Sequence, residues 1–164
     1  MTDARVAEFW SGFVAAGGPD VPYTAWFFGA ADDPAMQTRL ARLVVEGAKR
    51  ATTSLLAEYE QEDEPLPRPG EHSVILDGDG APRGIIMTTR VEVRPFGEVD
   101  DDFAWTEGEG DRSLAWWKRT HRESFERSGF NVEDATPVVL ERFDLVWPAL
   151  PHTGTAIRDG FSST

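Results

Sequence analysis

Two extended runs around an acid-glycine turn, HSVILDGDGAPRGIIMTTRVEVR at residues 72–94, limit what this chain can fold into more than any other stretch. Asp77-Gly78-Asp79-Gly80 supplies the residues that tight chain reversals need, and the flanks are rich in Val, Ile and Thr, which suit a pleated surface. The spacing predicts a β-hairpin. In its second strand Ile85, Met87, Thr89, Val91 and Val93 alternate with more polar neighbours. The turn also resembles the start of a calcium-binding EF-hand loop. However, Pro82 stands where that loop needs glycine, and Thr88 where it needs its last glutamate, so the reading fails.

Around the hairpin the period changes. Val6, Phe9, Trp10, Phe13 and Val14 recur at helical spacing within 3–15, and Gly17, Gly18 and Pro19 stop the run. Residues 19–30 form an aromatic loop. Asp33-Pro34 reads as an N-cap with a first-turn proline, opening a helix through Met36, Leu40, Leu43 and Val44 to Gly47. GAKRATTSLLAEYE (47–60) reads as a passage from helix to extended chain, and 60–70 as an acidic, proline-rich loop. FGEVDDDFA (96–104) reads as a loop or short helix. Leu114, Trp117, His121 and Phe125 share one stripe of a helix over 112–127, and TPVVLERFDLVW (136–147) alternates as a last strand.

The fold class expected from this order is α+β, with a mixed or mostly antiparallel sheet, possible as a small closed barrel. The expected organisation is an N-terminal helix over 1–20, one domain over 20–148 and a mobile tail over 149–164. No repeat or inter-domain linker is visible.

Of the 164 residues, 40% are hydrophobic, with ten Phe and six Trp, enough for a packed core. The absence of cysteine excludes disulfides, thiolate metal sites and a cysteine nucleophile. It suits a reducing cytoplasm, which is the expected location. The start, MTDARVAEFW, has no basic segment before an apolar run, so no secretory leader is expected, and no apolar stretch is long enough to predict a membrane span. The net charge of −13 opposes a broad grip on nucleic acid. Two loops, 58–64 and 97–111, hold 12 of the 29 acids. Arg112, Lys118, Arg119, Arg122 and Arg127 gather on the 112–127 helix, as a solvated face or a local basic patch.

Two stretches carry candidate chemistry. GAKRATT (47–53) contains a lysine and threonines but lacks the glycine spacing of a phosphate loop. Lys49 reads either as a cation at a helix C-terminus or, with its pKa lowered by burial, as a base. Thr52 is a hydroxyl three residues on. EGEGDRSLAWW (107–117) sets Glu107, Glu109 and Asp111 between glycines. These acids are open to reading as a metal site, as a solvated loop, as an N-cap at Asp111, or as proton carriers in catalysis.

Together, GAKRATTSLL (47–56), VILDGDGAPRGIIMTTRVEVRPFGEV (74–99) and FAWTEGEGDRSLAWWKRTHRESF (103–125) closely resemble the ASCH-domain family over most of residues 20–147. The resemblance implies a PUA-like fold, a small β-barrel with flanking helices and a cleft. Some members deacylate N4-acetylcytidine with a lysine, a threonine three residues later and a distant glutamate; others are reported as ribonucleases. Carried over, the catalytic set is Lys49, Thr52 and Glu109, with Glu107 the alternative acid. Glu107, Arg112, Ser113, Tyr23 and Trp26 are then expected to contact substrate, and Phe27 adds to that aromatic cluster, which otherwise reads as core. No metal and no cofactor are expected. The expected partner is a small nucleoside-like ligand acted on by an amidohydrolase. The alternative is an RNA-binding module or ribonuclease using the same cleft and the basic helix.

Overall fold

The computed structural model describes residues 3–149; the tail expected to be mobile lies almost wholly outside them. In chain order the elements are α1 (Ala4–Ala15), β1 (Tyr23–Trp26), α2 (Pro34–Glu46), β2 (Ala51–Leu55), α3 (Leu56–Glu62), β3 (His72–Leu76), β4 (Pro82–Pro95), a 3-10 turn (Phe96–Glu98), α4 (Asp101–Glu107), α5 (Leu114–Arg127) and β5 (Pro137–Trp147). The class is mixed α+β. The strands hydrogen-bond in the order β1-β3-β4-β5-β2, with β1 parallel to β3 and β2 antiparallel to β5. The expected barrel is corrected: the sheet is open among the described residues, because β1 and β2 each have a neighbour on one side only.

The chain divides into two compact units. Among the described residues, the first comprises 3–47, 72–86 and 145–149. Its core sets Val6, Trp10 and Phe13 of α1 against Val74 and Ile85. Asp3 caps α1 by accepting from the Arg5 amide. Asp33 caps α2 by accepting from Met36, with Pro34 in the first turn, and Gly47 ends α2 at φ 89°. The turn between β3 and β4 is organised by buried Asp77. Its carboxylate accepts from the amides of Asp79 and Ala81 and from Arg83 Nε. Burial pushes the Asp77 carboxyl up, but the Arg83 contact and the two amides outweigh it and hold the pKa below the usual range.

The second unit comprises 48–71 and 87–144. Its core collects Ala51 and Leu55 from β2, Phe103 and Ala104 from α4, Trp117 and Phe125 from α5, and Val138 and Leu140 from β5, around Phe96. Phe96 and Trp117 stack with ring centres 5.3 Å apart.

Three local expectations change. The aromatic loop contains β1, and the 47–60 passage, expected to run from helix to extended chain, turns back into helix as α3, which takes in the first residues of the 60–70 loop. In β4 the alternation predicted from Ile85 does not hold. Ile85 and Ile86 are both buried, then Thr88 is buried while Thr89 and Val93 are exposed. A strand covered on both faces at one end loses the clean two-residue period.

Candidate functional site

The GAKRATT and EGEGD segments meet in the second unit. α4 ends on Glu107, and Gly108 turns the chain at φ 75°. A Cβ on Gly108 would stand 2.1 Å from the Ala48 carbonyl oxygen, so only glycine lets the two backbones approach this closely. The approach brings Lys49 to the acids. Its ammonium Nζ donates to Glu109 Oε2 at 2.5 Å and to the Ala51 carbonyl at 2.9 Å, and lies 3.6 Å from Glu107 Oε2. The Lys49 side chain is 1% exposed, that of Glu107 2% and that of Glu109 16%, so Glu109 is the acid of this pair that reaches the surface.

Glu107 is held from several sides. Oε1 accepts from Thr53 Oγ1 and from Trp117 Nε1, each at 2.7 Å, and Oε2 lies 2.9 Å from His121 Nε2. α5 presents Trp117 and His121 one turn apart, so both reach the same carboxylate, and their rings stack at 4.4 Å. Burial pushes the Glu107 carboxyl up, but the charges of His121 and Lys49 and the donated hydrogen bonds outweigh it. Its pKa ends well below the usual carboxylate range. For His121 burial pushes the ring down, but the Glu107 charge and hydrogen bond raise it above 6.5.

The three acids of EGEGD thus do separate things. Glu107 faces inward to Thr53, Trp117 and His121, Glu109 holds Lys49, and Asp111 accepts from the Ser113 amide and hydroxyl. The expected helix start is corrected. α5 begins at Leu114 with Ser113 as its N-cap, accepting from the Trp116 amide, while Arg112 sits outside it at φ 66°. Ser113 is occupied as a cap, and Arg112 donates to the Trp105 and Ala48 carbonyls and lies 3.9 Å over the Trp105 ring. Glu107, expected at the substrate, is instead enclosed by protein donors.

Thr52 and Thr53 are neighbours on β2, so strand geometry turns them to opposite faces. Thr53 is on the Glu107 side. Thr52 pairs across the ladder with Glu141, whose buried carboxyl accepts from Thr88 at 2.7 Å and is pushed by burial above its usual pKa. Tyr23 and Trp26 belong to the first unit. There Tyr23 stacks on Trp10 at 4.2 Å and Trp26 meets Phe28 edge-on at 4.6 Å.

Sequence reasoning paired Lys49 with Glu109 through the resemblance, but missed Thr53 and the donor roles of Trp117 and His121. A signal existed: a histidine on an otherwise apolar helical stripe, four residues after a tryptophan, needs a polar partner when buried.

A family model described as the ASCH domain matches residues 24–147. An ASCH domain of Lactobacillus crispatus JV V101 has a similar structure, with 34% sequence identity and a TM-score of 0.81, over 88% of this chain and 96% of that one. A protein of Enterococcus faecalis V583 is 33% identical with a TM-score of 0.75, over 88% of this chain and 91% of that one. Among curated proteins none matches. With the family model spanning most of the chain, the chain belongs to the ASCH-domain family.

Proposed function

We propose that this protein hydrolyses a small nucleoside-like amide of the N4-acylcytidine type, with Lys49 and Glu109 as its proton-transfer pair. The observation that supports this reading is the 2.5 Å contact between a buried ammonium and a carboxylate that reaches the surface. When the Lys49 ammonium passes a proton to Glu109, one step creates an amine base and a carboxylic acid. The amine takes a proton from the attacking oxygen as that oxygen bonds to the acyl carbon. Glu109 then protonates the departing N4 nitrogen, the carbon–nitrogen bond breaks, and the ammonium–carboxylate pair is restored. The attacking oxygen is that of a water, because Thr52 lies on the face of β2 opposite Thr53 and Glu107.

Incubation with N4-acetylcytidine, followed by mass spectrometry of the cytidine released, tests the reading. Wild type is expected to convert it. Glu109→Gln is expected to lose about 100-fold or more in kcat/KM, the scale of a general acid–base contribution. Equal conversion by wild type and that variant would sink the mechanism. Thr52→Val is expected to retain turnover; an acylated Thr52 in the intact-protein mass spectrum would overturn attack by water.

The arginines that the RNA reading requires are partly used within the fold. Arg112 is spent on Trp105 and Ala48, and Arg122 donates to the Val132 carbonyl and faces Asp134. The small-ligand reading is therefore the one favoured.

A further inference from the structure

Both ring nitrogens of His121 meet acceptors. Nδ1 lies 2.9 Å from the Trp117 carbonyl oxygen and Nε2 lies 2.9 Å from Glu107 Oε2. A carbonyl has no proton to give, so Nδ1 carries one. Glu107 accepts from Thr53 and Trp117 through Oε1, and the Lys49 ammonium stands 3.6 Å from Oε2. The two donors on Oε1 and the Lys49 charge 3.6 Å from Oε2 keep the carboxyl ionised, so Oε2 also only accepts and Nε2 carries the second proton.

We propose that His121 is an imidazolium at neutral pH and a positioning residue: by occupying Oε2 of Glu107, it leaves the Lys49 ammonium to Glu109. The charges then balance, with Lys49 and His121 positive and Glu107 and Glu109 negative. If His121 lost its proton, one cation would stand between two carboxylates. Glu107 would lose its imidazolium donor and compete with Glu109 for Nζ. The charged groups around the ring are Glu107 at the end of α4, Glu109 in the loop after it and, beyond Glu107, Lys49 ahead of β2. α5 contributes the Trp117 carbonyl, the Trp117 ring and the Phe125 ring. The raised pKa of the ring, with burial opposing and Glu107 prevailing, agrees with this geometry. The assignment rests on the hydrolase reading only for its catalytic consequence.

Nitrogen-15 NMR of wild type tests the assignment independently of turnover. About one pH unit above the ordinary histidine value, both His121 nitrogens are expected to report N–H. On further titration the Lys49 Nζ signal is expected to move with the same midpoint as the His121 ring. An unprotonated His121 nitrogen at the first pH, or a Lys49 signal that ignores the His121 titration, overturns the proposal. In His121→Gln, which offers Glu107 a neutral donor, kcat is expected to fall about tenfold with KM little changed and the basic limb of the pH–rate profile displaced. An unchanged profile overturns the positioning role. If that variant does not fold, the wild-type titration alone decides. Should wild type show the expected NMR behaviour but release no cytidine, the hydrolase reading fails and the His121 assignment stands.

Discussion

Gly108 and Glu107 are adjacent, and each tolerates little change for a different reason. Gly108→Ala places a methyl group on the Ala48 carbonyl and forces a left-handed backbone on a residue that rarely adopts it. The strain term alone is about 1–3 kcal/mol. Activity is expected to fall with stability, because separating residues 48 and 108 also separates Lys49 from Glu109; urea melts and turnover of the same sample check both. Glu107→Gln places a neutral amide among the donors of Thr53, Trp117, His121 and Lys49. Removing one partner from a buried charge pair costs about 3–5 kcal/mol, a large part of a total stability of about 5–15 kcal/mol. The pH dependence follows from two opposite shifts. The raised His121 pKa contributes stability fully present below its unfolded value and lost as pH rises through the folded one. The depressed Glu107 pKa contributes stability present above the unfolded carboxylate value and lost as pH falls through the folded one. Wild type is therefore expected to lose stability above neutrality more steeply than His121→Asn, as urea midpoints across pH would show.

Helix boundaries follow local chemistry where one residue is the obvious cap. Asp33-Pro34 and Gly47 mark α2 in the sequence, and the structure uses all three. The start of α5 is harder to read because Asp111 and Ser113 are both good caps. The choice is made by Arg112, which takes a left-handed conformation and sends its side chain back over Trp105, so the helix starts after Ser113. Ser113→Ala is expected to cost about 1 kcal/mol. Asp111→Ala should cost less, because it supports the cap without being it; thermal melts of the two variants would rank them. β1 was invisible because four residues, YTAW, half-exposed at both ends, carry no period, and their strand character comes from pairing with His72–Ile75. The hairpin was legible because its turn and flanks agree. The burial change along β4 was not, because it depends on which partners cover each face.

At the scale of the whole molecule, the family was legible from three ordered motifs and the α+β class from the order of the elements, whereas the open sheet and the closing of the Glu107 network depend on long-range contacts. Among the described residues no helix is long and apolar enough to cross a membrane. The net charge of −13 bears on the RNA alternative. Binding to a single-stranded RNA oligomer is expected to be weak even at low salt, and tight binding that falls steeply with salt would restore that reading. The enclosure of Lys49 also has a practical consequence for trapping the natural ligand. Replacing a buried lysine to silence an enzyme would here leave two carboxylates without their shared cation, and the bait itself would tend to unfold. Glu109 reaches the surface, and changing it to Gln leaves Lys49 still facing Glu107. A folded but silent bait for fishing a metabolite from a cell extract is best made at Glu109.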